Sequence, residues 1–320
     1  MYTLNRRRFA QLAALSLPAA GAWLNPSSVL AAAPTASAGK PNSKVAGVHI
    51  GINAPYSFGN AAMSAEDILK TCVQLGLSAI ELRTQPIEAQ FGAPANLTSP
   101  KAKVLPAGAA GDHAKQLRTW RETVDMGKAR AFRAHWESTG VFIEVIKVDG
   151  IFKMTESELD YAFTLAKALG ARGISTEIGK DDDHKGVGKF ADRHKIHLAL
   201  HGHASTGPAQ WEKAFAHGEF VGANVDLGHF VAGDHGSPVE FIKKHHGRIT
   251  HVHVKDRKKG NGANMPFGQG DTPIAEVLRL IRDNKWPIQA TIEFEYKVPA
   301  DSDRMTELAK SIKFCREALS

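Results

Sequence analysis

The chain has 320 residues, of which 43% are hydrophobic and 23% are charged, a composition typical of a globular protein. The formal net charge is +7, but three of the positive charges lie together in the segment Arg6-Arg7-Arg8. The other charges of both signs are interspersed without a long basic run, so we expect a solvated surface and no nucleic-acid partner. The length suits one large α/β barrel or two modest domains.

The N-terminus has the pattern of a secretory signal. Arg6-Arg7-Arg8-Phe9 precedes an apolar segment at 10–24, and small residues follow at Ala31-Ala32-Ala33 and Ala36-Ser37-Ala38. A basic region, a short apolar core and an A-x-A-like end are typical of such signals, and paired arginines followed by x-Phe indicate the twin-arginine variant. The apolar segment is too short and too interrupted to favour a transmembrane anchor.

We therefore predict that the twin-arginine translocation machinery exports the protein to the periplasm, with cleavage between Ala33 and Gly39. Residues 1–38 are interpreted as signal peptide and linker, and residues 39–320 as one domain. No second apolar stretch of membrane length follows, so we expect no membrane attachment after export. Because this route carries folded proteins, the protein would acquire its cofactor before it leaves the cytoplasm.

Eight short apolar segments beyond the leader are predicted to be strands. Each is rich in Val, Ile or Leu, as expected for strands that helices cover. They span residues 48–52, 79–83, 142–148, 173–177, 196–201, 223–226, 249–255 and 288–293.

Amphipathic segments between these strands are predicted to be helices. They include residues 65–75, 156–169, 238–245, 274–283 and 304–317. Ser64, Thr155 and Thr272-Pro273 stand where helix starts are expected. Eight strands alternating with about eight helices predict a single-domain (β/α)₈ TIM barrel, of the α/β class. A doubly wound sheet would alternate in the same way, but it gives no reason for polar residues at nearly every strand end.

Residues 84–111 depart from this alternation, with Pro, Gly, Ala and little periodicity. The segment follows the second strand, on the side where barrels carry their active sites. It is interpreted either as a lid or substrate-contacting loop, or as plain disorder.

Cys72 and Cys315 are the only cysteines. They lie on the first and last predicted helices, which are neighbours in a closed barrel. We expect two buried free thiols, with a disulfide between those helices as the alternative.

Residue types that ligate metals stand at the ends of five consecutive predicted strands. The strand ends are Ser175-Thr176-Glu177, Leu200-His201-Gly202-His203, Asn224-Val225-Asp226-Leu227-Gly228-His229, His251-Val252-His253-Val254-Lys255-Asp256 and Ile292-Glu293-Phe294-Glu295. Side chains alternate along a strand, so the polar residues share the face that points to the barrel axis. An unpaired charge there would cost several kcal/mol, and a divalent cation is the simplest compensation.

Other polar and aromatic residues receive structural interpretations. The run Asp181-Asp182-Asp183-His184 is read as a solvated loop and helix start, and His245-His246 as a helix end. Trp120, Trp136 and Phe58 could stack on a sugar ring, but aromatic residues are more often part of the core.

From about residue 48 onward the sequence resembles the xylose-isomerase-like barrel superfamily, also described as sugar phosphate isomerases/epimerases. The resemblance rests on Val225-Asp226-Leu227-Gly228-His229, the strand-seven segment His251-Val252-His253-Val254-Lys255-Asp256, Gly268-Gln269-Gly270-Asp271-Thr272-Pro273 and Ile292-Glu293. That superfamily includes tagatose and psicose 3-epimerases, inosose dehydratases, hydroxypyruvate isomerases and apurinic endonucleases.

The resemblance implies three metal ligands directly. In the epimerases the ligands are Glu, Asp, His and Glu from strands five to eight, and Asp226, His253 and Glu293 match the last three. The strand-five position is occupied by His201, in a His-Gly-His variant. Because the glutamate of that strand is also one of two acid/base groups in the epimerases, their two-carboxylate mechanism is not implied intact. Glu177 is the candidate replacement, as ligand or as base.

We expect one divalent ion, held by His201, Asp226, His253 and Glu293. Mixed nitrogen and oxygen ligation suits Mn²⁺, Zn²⁺, Co²⁺ or Fe²⁺ better than Ca²⁺, and Mg²⁺ stays open. Such an ion would stabilise the enediolate that forms when a carbon-bound proton beside a carbonyl is removed.

Six residues are assigned catalytic or substrate-binding roles at this stage, and they are Glu177, Glu293, Lys255, His203, His229 and Glu295. Glu177 or Glu293 would act as base, and Lys255 would stabilise an oxyanion, donate a proton, or simply pair with a neighbouring glutamate. Two histidines, His203 and His229, would contact sugar hydroxyls. Glu295 would contact substrate, or replace Glu293 as ligand if the register slips by two.

The leading functional prediction is an exported metal-dependent sugar isomerase or epimerase. Because the strand-five glutamate is missing, a lyase or dehydratase acting on a keto-sugar or oxidised glycoside ranks nearly level. A metal-dependent phosphodiesterase is less favoured, since export and the lack of a basic patch argue against it. A non-catalytic sugar-binding module is also less favoured, because the Asp, His and Glu ligands are intact. The sugar and any homo-oligomer stay open.

Overall fold

The computed structural model describes residues 39–94 and 109–320, with side chains described from residue 111 onward in the second range. The predicted signal peptide and the middle of the 84–111 segment lie outside these described residues. Export and cleavage therefore stay predictions.

Within the described ranges, eight parallel strands form a closed barrel. They are β1 (Val48–Ala54), β2 (Ala79–Arg83), β3 (Phe142–Lys147), β4 (Gly173–Glu177), β5 (His197–His201), β6 (Val221–Asp226), β7 (Ile249–Val254) and β8 (Gln289–Ile292). Each strand pairs with its neighbours in chain order, and β8 pairs with β1 through Thr291 and Gly51, which closes the barrel. The TIM barrel and its eight predicted strands are confirmed.

Two short antiparallel pairings lie outside the barrel wall. Lys44–Val45 pairs with the start of β1. Beyond the end of β7, Asp256–Arg257 pairs with Asn264–Met265, so the chain that leaves β7 folds back as a hairpin at the rim of the barrel.

Eleven helices belong to the described part of the chain. They are α1 (Ala65–Gln74), α2 (Thr84–Gln90), α3 (Ala109–Thr123), α4 (Met126–Thr139), α5 (Glu156–Leu169), α6 (Asp181–His194), α7 (Pro208–Phe215), α8 (Leu227–Ala232), α9 (Pro238–His245), α10 (Ile274–Asp283) and α11 (Arg304–Leu319). α6 begins at Asp181 and α9 ends at His245. These positions confirm the structural interpretations of the polar runs at 181–184 and 245–246. In these described ranges no helix is long and apolar enough to cross a lipid bilayer.

Local capping chemistry explains where two of the helices begin. The Ser64 hydroxyl accepts the backbone N–H of Asp67 at the start of α1, and Thr155 and Glu158 form a reciprocal capping box at the start of α5. The prediction for α10 is confirmed, because the helix starts at Ile274 directly after Thr272-Pro273, although its N-cap residue Pro273 makes no side-chain cap. The Thr272 hydroxyl instead accepts the backbone N–H of Arg257.

The expectation of an irregular segment at 84–111 is wrong at both described ends, which form α2 and the start of α3. Ile87 and Phe91, one helical turn apart, are buried in the core and anchor α2. A set of four residues, which we call the ion cluster, joins α2, α3 and α5. Its members are Glu88, Arg121, Glu158 and Tyr161.

Residues of uncertain role in the sequence pack in the core. Trp136 stacks on Phe132, and Trp120 meets the edge of Tyr161. Phe58 is partly buried against the same core. Cys72 and Cys315 are both buried and unpaired, so the expectation of free thiols is confirmed and the disulfide alternative is not formed.

Candidate metal centre

Four side chains converge inside the end of the barrel where the parallel strands finish. His201 ends β5, Asp226 ends β6, His253 lies in β7, and Glu293 follows β8. One nitrogen or oxygen atom of each lies within 4.8 Å of the corresponding atoms of the other three. We call these four residues the ligand cluster. The structure thus brings together the four residues that the sequence predicts as ligands, while an ion bound to them stays a prediction.

The chemistry of these four side chains fits a divalent cation. All four are at most 5% exposed. Each leaves one side-chain atom without a hydrogen bond: the Nδ1 atoms of His201 and His253, Oδ2 of Asp226 and Oε2 of Glu293. An unsatisfied buried polar atom costs about 1–3 kcal/mol. Lys255 forms ion pairs with the two carboxylate oxygens, and a cation at the centre would satisfy all four atoms. Two imidazoles and two carboxylates are a donor set that transition-metal ions accept.

The other oxygen atom of each carboxylate is already held by the protein. Asp226 Oδ1 accepts the backbone N–H of His229 at 2.7 Å, which also caps α8. Glu293 Oε1 accepts the side-chain amide of the buried Asn53 at 2.9 Å. These bonds hold both carboxylates so that the second oxygen of each faces His253 Nδ1. That nitrogen lies 3.8 Å from Asp226 Oδ2 and 3.3 Å from Glu293 Oε2.

A glutamate that the sequence analysis did not single out orients His253. Glu81, from the interior face of β2, is fully buried, and its Oε2 lies 2.6 Å from His253 Nε2. A proton on Nε2 donated to Glu81 leaves Nδ1 as the nitrogen that faces the ligand cluster. A lone carboxylate within the apolar strand Ala79–Arg83 was the available sequence signal.

The same carboxylates control the protonation of His253. Burial alone would lower the pKa of His253, but the negative charges of Glu293 and Glu81 outweigh it and raise the pKa to about 10. Burial would likewise raise the pKa of Glu81, but the charge of His253 and His251 holds it well below its usual range. An ion at Nδ1 would therefore have to displace a proton.

Lys255 pairs with three carboxylates at the edge of the ligand cluster. Its Nζ lies 2.6 Å from Glu293 Oε2, 3.1 Å from Asp226 Oδ2 and 2.8 Å from Glu295 Oε2. Glu293 Oε2 and Asp226 Oδ2, which lack hydrogen bonds, therefore have an ion-pair partner in Lys255. One ammonium, however, cannot neutralise three carboxylates. Burial would lower the pKa of Lys255, yet these carboxylates outweigh it and raise it. Lys255 is therefore a charged donor and not a base.

Glu177 lies beside the ligand cluster and is not one of its members. Its carboxylate accepts a 2.6 Å hydrogen bond from the buried Lys147 and lies 3.1 Å from His203 Nε2. Burial would raise the pKa of Glu177, but the bond from His203 and the charge of Lys147 outweigh it and lower the pKa. With a side chain that is 51% exposed, Glu177 is an ionised carboxylate that a ligand can reach.

Glu295 stands farther out toward the rim. It accepts hydrogen bonds from the Tyr56 hydroxyl and from Asn264, in addition to its contact with Lys255. Glu295 also forms a looser group of ligand-type atoms with His229 and Glu293. The register alternative, with Glu295 as ligand, therefore stays open on distance alone.

His203 and His229 line the mouth of the site. They border a cavity of about 580 Å³ together with Arg257, Asp234 and Asn261. Burial and the charge of Lys255 lower the pKa of His229 to about 3, so its imidazole is neutral. His201, His203 and His229 form a further group of ligand-type atoms, and Glu81, His251 and His253 form another.

The chain segment after β7 is organised by Asp256. Its buried carboxylate accepts three backbone N–H groups, from Gly268 at 2.8 Å, Gly270 at 2.9 Å and Thr272 at 3.2 Å. A Cβ atom on Gly270 would lie 1.9 Å from Asp256 Oδ1, so only glycine permits this approach. The glycine motif at 268–273 thus folds the loop onto Asp256 and sets the rim that carries Arg257.

A second cavity, of about 320 Å³, lies at the opposite end of the barrel, where the strands begin. It is bordered by His49, Glu144, Arg172 and Trp286 among others. His49 and Arg172 both pair with Glu144 there. In TIM barrels chemistry takes place where the strands end, so this cavity is not the candidate site.

Residues 184–318 match the family model described as a xylose isomerase-like TIM barrel. That range contains all four members of the ligand cluster. Two curated relatives come from strains of Bacillus cereus. The one named inosose dehydratase 2 is 28% identical over 153 residues, which cover 41% of this chain and 51% of the relative. The one named inosose dehydratase is 29% identical over 121 residues, covering 36% and 35%. The chain thus matches about half of one relative and a third of the other.

Solved structures with the same fold cover most of the chain. A 3-keto-D-glucoside 4-epimerase from E. coli aligns with a TM-score of 0.55 at 13% identity, over 84% of this chain and 99% of that one. A probable 3-DHS dehydratase from Bacillus anthracis gives 0.58 at 13% identity, over 83% and 98%. A xylose isomerase domain protein from Alicyclobacillus acidocaldarius gives 0.59 at 14%, over 85% and 99%. At these identities the likeness establishes the xylose isomerase-like fold alone.

Proposed function

We propose that this chain is a metal-dependent enzyme that removes a proton from the carbon beside a carbonyl group of a carbohydrate, as sugar isomerases and epimerases do. The observation that carries the proposal is the set of four buried ligand-type atoms, from consecutive strands, that lack hydrogen bonds. The match to a xylose isomerase-like family model over residues 184–318 supports the carbohydrate class.

A bound ion would supply Lewis-acid polarisation of a substrate oxygen and would stabilise developing negative charge. The protein would supply the proton transfer. Glu177 is the proposed base because it is ionised, reachable and outside the ligand cluster. Lys255 is the proposed hydrogen-bond or proton donor, and Glu293 is the proposed ligand. His203 and His229, which line the cavity, would bind hydroxyl groups, and Glu295 would hold Lys255 in place.

Elimination is the second candidate function, and a specific observation favours it. Of the two acid/base carboxylates that the resemblance to the epimerases implies, the strand-five one is missing, because His201 occupies its position. Glu177 is then the more exposed of the two ionised carboxylates beside the ligand cluster, since Glu295 is paired with Lys255 and accepts from Tyr56. One base is enough for a dehydratase or lyase, and both curated relatives are named inosose dehydratase.

Elemental analysis of the purified protein tests the metal. We expect about one divalent ion per chain after reconstitution, and loss of that ion in Asp226→Ala and in His253→Ala. His135→Ala and Asp160→Ala are matched controls, since they remove the same residue types from exposed helix surfaces. If neither the isolated nor the reconstituted protein holds an ion, the proposed centre is wrong.

Deuterium exchange tests the chemistry and separates the two candidates. Candidate aldoses, ketoses and keto-glycosides are incubated with the reconstituted protein in D₂O. Isomerisation or epimerisation gives deuterium beside the carbonyl and a rearranged sugar of the same composition. Elimination gives an unsaturated product and releases water or, from a glycoside, the alcohol or sugar that was joined through the glycosidic oxygen. No exchange and no product over a broad panel would contradict both, and ligand binding without turnover would indicate a sugar-binding module.

Export to the periplasm is also proposed, on the basis of the leader alone. Replacement of Arg6 and Arg7 by lysine should retain the protein in the cytoplasm, as judged by cell fractionation. Unchanged fractionation would contradict the twin-arginine route.

A further inference from the structure

The cavity at the end of the barrel where the strands begin has a mainly cationic lining. Its volume of about 320 Å³ is within the range of sites that bind small molecules. The charged residues among the described ones that border it are Lys44, Arg172, Arg282, Lys285 and Glu144. Four positive charges against one negative charge give this lining a formal net charge of +3, although Arg282 is already paired with Asp283. Such a lining favours an anionic ligand.

A partly buried guanidinium in this lining is neutralised incompletely. Arg172 Nε donates to Glu144 Oε2 at 3.0 Å, and its other two nitrogens donate to the backbone carbonyls of Thr250 and Pro287. The second oxygen of Glu144 lies 3.3 Å from His49 Nδ1. Burial lowers the pKa of Arg172, and the charge of Glu144 offsets this effect only in part. A further negative charge in the cavity would therefore stabilise the guanidinium.

Two lysines that border the cavity have no anionic partner among the described residues. Lys44 is paired with His49 across a tight turn at 46–47, where both residues have positive φ, so the two side chains lie on the same face of this short hairpin. Lys285 lies in the turn between α10 and β8. Both lysines are exposed, and neither ammonium forms an ion pair or a hydrogen bond with the described part of the chain. They are therefore available to an anion.

The lining also contains a buried acceptor that lacks a donor. Gln289, the first residue of β8, is 2% exposed. Its Nε2 donates to Thr291 Oγ1 at 2.7 Å, while its Oε1 has no hydrogen bond with the described residues. Gly51 makes room for this amide, since a Cβ atom there would lie 2.4 Å from Gln289 Nε2. A hydroxyl group of a ligand would supply the donor that Oε1 lacks.

We infer that this cavity is a second binding site, separate from the ligand cluster, for a small anion that also carries hydroxyl groups, such as a sugar phosphate or a sugar acid. Lys44 and Lys285 pair with the anionic group, and Gln289 Oε1 accepts from a hydroxyl group. Trp286, whose ring stacks on His246 with centroids 4.3 Å apart, supplies an apolar part of the wall. The inference concerns binding alone and goes beyond the proposed catalytic function.

Titration calorimetry on the full chain tests the site. The protein is first treated with a chelator, so that an anion cannot bind through a metal ion at the ligand cluster. The ligands are glucose 6-phosphate, gluconate and, as the neutral control, glucose. We expect one molecule of at least one of the two anions per chain and no binding of glucose, and the two anions distinguish a phosphate from a carboxylate. Absence of binding by both anions at millimolar concentration would overturn the inference.

A double variant locates the bound anion. Lys44→Gln combined with Lys285→Gln should weaken binding by about tenfold or more, because both charges that face the anion are removed. Lys185→Gln combined with Lys189→Gln is the matched control, since these exposed lysines of α6 do not border the cavity. Its affinity should equal that of the unmodified protein. Equal affinities in the two double variants would mean that the anion binds elsewhere, and the inference would be wrong.

Gln289→Leu tests the hydroxyl contact separately from the charge. Loss of the acceptor should weaken binding of the hydroxylated anion by about tenfold, whereas sulfate, which has no hydroxyl group, should bind equally to both proteins. Unchanged affinity for the hydroxylated anion would contradict the contact. Asp226→Ala, which removes a member of the ligand cluster, should bind the anion normally. Failure of the proposed metal centre and failure of this second site are therefore distinguishable.

Discussion

Two clusters of buried charge in this barrel differ in whether the protein itself satisfies them. In the ion cluster, Arg121 donates to both oxygens of Glu88 and to Glu158, and Tyr161 donates to Glu88. No side-chain atom of its four residues is buried without a hydrogen bond, whereas each residue of the ligand cluster has one such atom. Burial of charge alone therefore does not mark a functional site. The proposed metal centre is distinguished by buried ligand-type atoms that converge on one point and lack hydrogen bonds.

Removal of the arginine from the ion cluster should give the largest effect. In Arg121→Met, the buried Glu88 loses its salt bridge to Arg121, and the buried Glu158 keeps only its pair with Arg118. We expect the free energy of unfolding to fall by about 3–5 kcal/mol, measured by urea denaturation. Arg133→Met, which removes an exposed arginine paired at one helical turn, should cost less than about 1 kcal/mol. If Arg121→Met kept its stability but lost the bound ion, the contrast between the ion cluster and the ligand cluster would be wrong.

Removal of Glu81 should act on the other cluster and change ion binding more than folding. Without its acceptor, His253 loses the bond that points Nδ1 to the ligand cluster. We expect Glu81→Ala to weaken ion binding about 10–100-fold, measured by competition with a chromogenic chelator. Glu66→Ala, at an exposed helix position, should bind the ion normally. Equal affinity in the two variants would show that Glu81 does not orient the ligand.

The pH dependence of ion binding should report His253. Its pKa is raised to about 10, so below that pH an ion must displace a proton from Nδ1. Ion affinity should then rise about tenfold per pH unit between roughly pH 6.5 and 10 and level off above pH 10. Calorimetry in buffers of different ionisation enthalpy should show one proton released for each ion that binds. Below about pH 6 the rise should be steeper, because burial raises the pKa of Asp226 to about 6.

In the protein without its ion, the free energy of unfolding should depend on pH in the opposite direction to ion affinity. Protonated His253 stabilises the fold fully below about pH 6.5, and this contribution is lost as pH rises through 10. Ion affinity that does not vary with pH over this window would contradict a protonated His253.

The smallest expected effect concerns a cap that belongs to the satisfied cluster. Thr155 caps α5, and its hydroxyl and backbone N–H both reach the Glu158 carboxylate. Thr155→Ala should lower the free energy of unfolding by about 1 kcal/mol, seen as a small shift in the urea midpoint. Thr139→Ala, at the end of α4, is a control outside any N-cap. A loss as large as that of Arg121→Met would mean that the cap holds the whole ion cluster.

The barrel and the ligand cluster could be predicted because both obey simple periodicities. Alternation within β7 and at the end of β8 puts His253 and Glu293 on the inner face, and the closed barrel brings them to Asp226 and His201. Distances within the group could not be predicted, since they depend on the relative register of four strands. A helix at 84–90 was missed because only Ile87 and Phe91 show its apolar spacing.

Residues that act through others were not predictable from local patterns. Glu81 and Lys147 are charged residues within largely apolar strands, and each meets its partner only after the barrel closes. Asp256 and the glycines at 268–273 were recognised as a motif, but its physical basis, a carboxylate that accepts backbone N–H groups, became visible only in three dimensions.

The pairing of β8 with β1 has a consequence for the order in which the protein matures. β1 emerges early in synthesis and β8 emerges last of the eight strands, so the wall stays open along one seam until then. Glu293 follows β8 directly and takes its hydrogen bond from Asn53 in β1, across that seam. A ribosome-bound chain that has not yet released β8 therefore lacks Glu293 at the ligand cluster, and the proposed ion could be fully bound only after the barrel closes.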